Sequence, residues 1–148
     1  MRRQISTIFC DDIRQEAGGK LSLMGVYSGV MFVPATPIIL PKLCVSITAI
    51  TPTKSPFKKL SFKVFKADEV LAENEIDPNE LIKLSQDKNN TVENDGDKIH
   101  MINMALVFAP LPIEEECVIR IRVYTEDGEE LRGPGLSIKL GDSKSLLN

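Results

Sequence analysis

Between residues 57 and 66 the chain alternates with a period of two residues. Leu60, Phe62 and Val64 take one side, and Lys59, Ser61 and Lys63 take the other. Successive side chains of a β-strand point to opposite faces, whereas a helix brings a face round about every 3.6 residues. Such a segment is a strand of an antiparallel sheet, with one face on a core and the other in water. The pattern recurs at 116–126, where Cys117, Ile119, Ile121 and Val123 point inward and Arg120, Arg122 and Tyr124 outward. A chain built on this period must pack sheet against sheet to bury its apolar faces.

The other segments extend that reading. Residues 4–11 form a first strand with apolar groups on both faces, which predicts a strand covered on both sides. Residues 20–33 are extended and interrupted at Gly25 and Gly29, where a bulge or bend is expected. Pro34, Pro37 and Pro41 exclude a central strand and a helix interior, so 34–41 is a stiff crossover. Strands follow at 42–51, 57–66 and 70–76. Asp77-Pro78-Asn79-Glu80 then combines an N-cap, a first-turn proline and a capping-box glutamate, predicting a helix of about two turns near 78–85 with Leu81 and Leu84 on one side. The Asn-, Asp- and Lys-rich stretch 86–98 reads as a mobile loop. Residues 98–108 form the longest strand, expected to be central. Asp127-Gly128 closes a hairpin after the strand at 116–126, and Leu136, Ile138 and Leu140 complete the fold. About eight strands, one short helix and no alternating helices predict an immunoglobulin-like or C2-like antiparallel β-sandwich. It occupies 1–141 as a single domain, with 142–148 as a flexible C-terminal tail.

Length and composition agree. A chain of 148 residues suits one domain and buries roughly 68–70% of its unfolded surface, enough for a core without staples. The formal net charge of −3 argues against a duplex nucleic-acid partner, which calls for a basic surplus. Cys10, Cys44 and Cys117 all lie inside apolar runs, an odd set without CxxC spacing. They read as buried free thiols of a reducing compartment, not as a disulfide frame or zinc site. No signal core or membrane-length apolar run is present, so a cytoplasmic location away from membranes is expected.

The opening pattern Cys10-Asp11-Asp12-Ile13-Arg14, followed by Gly19-Lys20-Leu21-Ser22-Leu23-Met24-Gly25-Val26-Tyr27, resembles that of a family of small bacterial and phage-associated proteins known only as a domain of unknown function. The resemblance extends to the strand, Asp-Gly turn and strand near the C-terminus. It implies a small all-β cytoplasmic domain and brings no activity with it.

Chemistry-bearing motifs are few. His100 is the only histidine, and it shares a strand face with Ile102, Met104 and Leu106, so it reads as a core or edge residue and not as the base of a Cys–His pair. Gly19-Lys20 lacks the upstream glycine of a phosphate loop, because Arg14 stands there. Ser55-x-x-Lys58 lies in a proline-bearing loop instead of on the helix that its chemistry uses. Asp87 to Val92 fails as a calcium loop at the position that demands glycine. Two surface sets are left. Outward Lys59, Lys63, Arg120, Arg122 and Tyr124 form a basic face suited to an acidic protein partner. Asp11, Asp12, Asp95, Asp97 and Asp127 mark loop tips that, brought to one end, could hold calcium, although turn chemistry explains the same residues. The leading expectation is a non-enzymatic protein-interaction module with no cofactor, whose exposed sheet edge can also pair with its twin as a homodimer. The alternatives are a calcium- or small-ligand-binding sandwich and an enzyme with dispersed carboxylates.

Overall fold

The structure, a computed structural model, describes residues 2–141; the tail expected at 142–148 lies outside them. Its elements in chain order are β1 (Gln4–Gln15), β2 (Leu21–Val26), β3 (Val30–Val33), β4 (Ile38–Leu40), β5 (Leu43–Pro52), β6 (Leu60–Lys66), β7 (Glu69–Glu75), helix α1 (Pro78–Gln86), β8 (Thr91–Asn94), β9 (Asp97–Phe108), β10 (Leu111–Ile113), β11 (Cys117–Thr125), β12 (Glu130–Arg132) and β13 (Leu136–Leu140). One sheet runs β2-β1-β5-β9-β8. The second runs β3-β13-β11-β6-β7, with β12 also on β11, and β4 and β10 form a separate ribbon. All pairs are antiparallel except β13 with β3. The fold is the expected all-β sandwich with one short helix. The thirteen strands among the described residues exceed the expected eight: glycine breaks set off β3 and β12, and β4, β8 and β10 form where a crossover, a loop and a strand end were expected.

The core lies between the two sheets. From the first it takes Phe9, Val45, Ile47 and Ala49; from the second it takes Leu60, Val64, Ile119, Ile121, Val123 and Leu136. The alternation at 57–66 and 116–126 is therefore realised side chain by side chain. Helix α1 forms where its cap demands: the Asp77 carboxylate accepts the Asn79 N–H at 2.8 Å and the Glu80 N–H at 3.4 Å, with proline in the first turn. It drops Leu81 into the core at one end of the sandwich.

Three sequence expectations are corrected. The 86–98 stretch is ordered: a turn of 3-10 helix at Lys88–Asn90 leads into β8, and Asp95-Gly96 closes a hairpin onto β9. Both turn residues have positive φ, as a primed two-residue turn requires, so the Asn- and Asp-rich composition encodes a hairpin. Strand β1 is not covered on both faces, since Ile8 is exposed on the outer one. Strand β9 is not fully internal: β5 pairs with it from Ile99 to Phe108, but β8 reaches only Asp97 to His100.

Two buried cations tie the ends of the sandwich. At the helix end, Arg3 donates to the carbonyls of Ser55 and Pro56 at 3.0 Å each, to Thr51 Oγ1 at 3.1 Å and to Glu126 at 2.6 Å. Its guanidinium also lies 4.8 Å from the centroid of the Phe57 ring. At the other end Lys66, nearly buried, donates to Pro112 O at 3.0 Å and to Glu114 at 2.9 Å. The bond to Glu114 holds the ammonium above the ordinary lysine range. A buried charge is tolerated only when paired in this way.

Burial pushes the Glu126 carboxyl up, but the hydrogen bond and charge of Arg3 together with backbone N–H donors more than offset it, and the group stays below the ordinary glutamate range. A carboxyl depressed in the folded state stabilises above its unfolded pKa, and that stability is lost as pH falls through the folded value. Replacing Arg3 by Ala is therefore expected to cost about 3 kcal/mol, read as a fall in melting temperature of roughly 6–12 °C at neutral pH. Glu126→Gln is expected to flatten the acid limb of stability against pH below about pH 4, a comparison made by thermal melts from pH 2.5 to 7.

Candidate functional site

The outer face of the β6–β11 sheet gathers the basic residues into rows set by strand register. Glu75, Ser61, Tyr124 and Glu130 form one row, and Glu73, Lys63, Arg122 and Arg132 the next. Val70, Phe65 and Arg120 form the third, followed by Val118, Ser137 and Val30, then Lys139 beside Phe32. Lys63, Arg122 and Tyr124 are thus immediate neighbours, with Arg120 one row along and Lys59 at the edge beside Glu75. Their charges are arranged in detail. Glu130 bridges Arg132 at 2.8 Å and Arg122 at 3.8 Å, and accepts the Tyr124 hydroxyl at 3.2 Å. Lys63 lies 3.8 Å from Glu73 and 5.9 Å from the centroid of the Tyr124 ring, and Lys59 lies 3.9 Å from Glu75. Burial first, then the bond to Glu130, raises the Tyr124 phenol above its ordinary range.

The first two rows are thereby largely neutralised. Arg120 and Lys139 are exposed, with no ion pair among the described residues. They flank half-buried Phe65, Val118 and Phe32 and exposed Val70. Across the face stand six cations, Lys59, Lys63, Arg120, Arg122, Arg132 and Lys139, against four carboxylates, Glu73, Glu75, Glu116 and Glu130. Sequence reasoning found Lys59, Lys63, Arg120, Arg122 and Tyr124 but not Arg132 or the apolar strip. Phe65 keeps the outward parity of Ser61 and Lys63, and the β-bulge opposite it takes its extra residue, Leu71, from β7.

The acidic tips are not brought to one place. Asp11 and Asp12 sit at the β4–β10 end of β1, whereas Asp95 and Asp97 are in the β8–β9 hairpin at the helix end. Asp127 lies in the turn before β12, 4.0 Å from Arg3. Among the described residues no three His, Cys, Asp or Glu side chains gather so as to hold a metal ion. The β1 pair is committed locally. Asp12 accepts Lys42 Nζ at 2.6 Å and its own neighbour Ile13 N–H at 3.0 Å; the lysine holds its carboxyl below the ordinary range. Asp11 lies over Gly25 and accepts the Tyr27 hydroxyl. Burial, and then that bond, push the phenol well above the ordinary tyrosine range. Cys10 and Cys44 are fully buried and directly opposed on β1 and β5, whereas Cys117 is half-buried. Burial raises all three thiols, so they behave as small apolar groups.

The opening pattern of the sequence therefore has a physical meaning. Gly25 has φ of +69°, and a Cβ there would lie 2.2 Å from the Asp11 carboxylate. Only glycine accepts both the backbone and the contact. Gly25→Ala is expected to cost about 2 kcal/mol or more in a denaturant melt, with unchanged m-value, and to bring the Tyr27 phenol back towards its ordinary titration in ultraviolet absorbance.

No helix among the described residues is long and apolar enough to cross a membrane. The comparison with curated proteins and that with solved structures find no match. A family model does match, over residues 5–137, the span from the first strand into the last: the chain belongs to the family of unknown function DUF6941.

Proposed function

We propose that the protein is a non-enzymatic protein-interaction module that docks an acidic partner on the outer face of the β6–β11 sheet. The observation that carries this is a net basic, aromatic-bearing sheet face on a chain whose formal net charge is −3. Arg120 stands directly beside Phe65, with Tyr124 and Arg122 in the neighbouring rows. Arginine and aromatic side chains concentrate binding energy when a partner covers them, because they combine large apolar area with directional donors. The ion-paired rows supply a polar rim, and the Phe65, Val118 and Phe32 strip supplies an apolar centre. A cytoplasmic location, where free thiols persist, belongs to the same reading.

The test compares the intact domain with the Arg120→Glu, Lys139→Glu double variant as baits in affinity capture, followed by titration of any captured partner. Neither residue is ion-paired, so the variant is expected to melt within about 2 °C of the parent. The partner is expected on the intact bait alone, with affinity falling as salt rises. Equal capture by both baits, or affinity indifferent to salt, contradicts the assignment.

A further inference from the structure

The open edge of β9 offers a second surface, remote from the basic face. The hairpin register sets its chemistry. Asn94 and Asp97 close the two-residue turn as a hydrogen-bonded pair, so Asp97 and Ile99 direct their backbone groups toward β8. Lys98 directs its carbonyl the other way, where it accepts the Thr53 N–H at 3.0 Å. The β5–β9 register continues unbroken to Phe108. By alternation, Met101, Asn103, Ala105 and Val107 point their N–H and C=O groups away from β5. Met101 lies opposite Asn90 at the last rung of the β8 pairing, and beyond it Asn103, Ala105 and Val107 have no strand partner on that side among the described residues. Natural edges of this kind are guarded by lysine, proline or inward charge. From Met101 to Phe108 there is none of these.

Beside this edge lies a groove of about 380 Å³ between the two sheets. Phe62, Ile76, Leu84, Ile102 and Met104 form its apolar lining, and Glu75, Asp77 and Glu80 its acidic rim. Of these rim groups Glu75 has Lys59 at 3.9 Å and Asp77 caps the helix, while Glu80 has no ion pair among the described residues. The outer face that a strand added here would extend is uncharged: Gln4, Ser6 and Ile8 on β1, Ser46, Thr48 and Ile50 on β5, and Asn103, Ala105 and exposed Val107 on β9.

We infer that β9 takes up an extended segment of a partner protein by strand addition, one that alternates apolar residues with uncharged ones and carries a lysine or arginine. Backbone bonds to Asn103, Ala105 and Val107 supply affinity, and alternate side chains entering the groove supply selectivity. The acidic rim selects the cation. A second copy of this chain fits less well, because the open stretch of β9, from Met101 to Phe108, has no lysine or arginine to meet the rim and edge pairing brings two such rims together.

The probe is a displayed library of random ten-residue peptides selected on the intact protein, with enriched sequences resynthesised and titrated by fluorescence anisotropy. Enriched peptides are expected to alternate apolar residues and to carry Lys or Arg. Ala105→Pro removes one outward N–H while leaving the β5 bonds in place, and is expected to weaken binding more than about tenfold. Glu80→Lys is expected to weaken the same peptides while lowering the melting temperature by only a few degrees, because it places a cation in the first turn of α1. The Arg120→Glu, Lys139→Glu variant is expected to bind them unchanged, which separates this site from the basic face. Absence of enrichment, selection of acidic peptides, or full binding by both Ala105→Pro and Glu80→Lys overturns the inference. So does a concentration-dependent dimer in sedimentation equilibrium that Ala105→Pro dissolves, since it gives the edge to a second copy.

Discussion

Strand β5 has both of its backbone edges hydrogen-bonded, to β1 on one side and to β9 on the other, and its inward side chains Leu43, Val45, Ile47 and Ala49 are shut away from water. A ten-residue strand whose inward residues are apolar up to the hydrogen-bonded Thr51 near its end loses that burial if it stands at an edge or faces solvent. It must be overlaid by a second sheet, and the alternating apolar faces of β6 and β11 are what this chain provides. Once β5 is fixed, β1 and β9 are fixed by register, because a slip of one residue would turn their apolar sets to the outside. The rest of the structure closes the ends: Arg3 with Glu126 and the 51–57 loop at one, Lys66 with Glu114 and the β4–β10 ribbon at the other.

This arrangement spends charge unevenly. One sheet carries ion-paired rows on its outer surface; the outer face of the other, across β1, β5 and β9, carries no charged side chain between Gln4 and Cys10, Cys44 and Ile50, or Met101 and Val107. The two faces therefore suit different chemistry. The charged one favours a partner recognised by complementary charge and sensitive to salt. The uncharged one ends at a strand edge whose backbone groups have no strand partner among the described residues beyond the end of β8, where recognition is by main-chain hydrogen bonding.

Period-two patterning made β5, β6 and β11 legible in the sequence, because burial on one face leaves its mark on every second residue. The helix was legible from its cap alone: Asp77 and Pro78 act through local bonds that need no tertiary context. What escaped was whatever depends on contacts distant in sequence. The hairpin at β8 reads as a polar loop until Ile99 and His100 are seen buried beneath it. Arg3 looks like an exposed terminal cation, and its partners are separated from it by 48 to 123 positions. Of the site, the cations, Tyr124 and Phe65 could be read from strand parity, but the strip of Phe65, Val118 and Phe32 depends on which strands pair. The open half of β9 depends on where its neighbour ends.

Hydrogen exchange of the β9 amides, resolved residue by residue by NMR, tests the open edge most directly. Alternation is the expected result: Ile102, Met104 and Leu106, bonded to β5, exchange slowly, while Asn103, Ala105 and Val107 exchange far faster, close to exposed loop amides. Uniform slow exchange from Met101 to Val107 contradicts it, because the edge is then already paired or covered in the free protein.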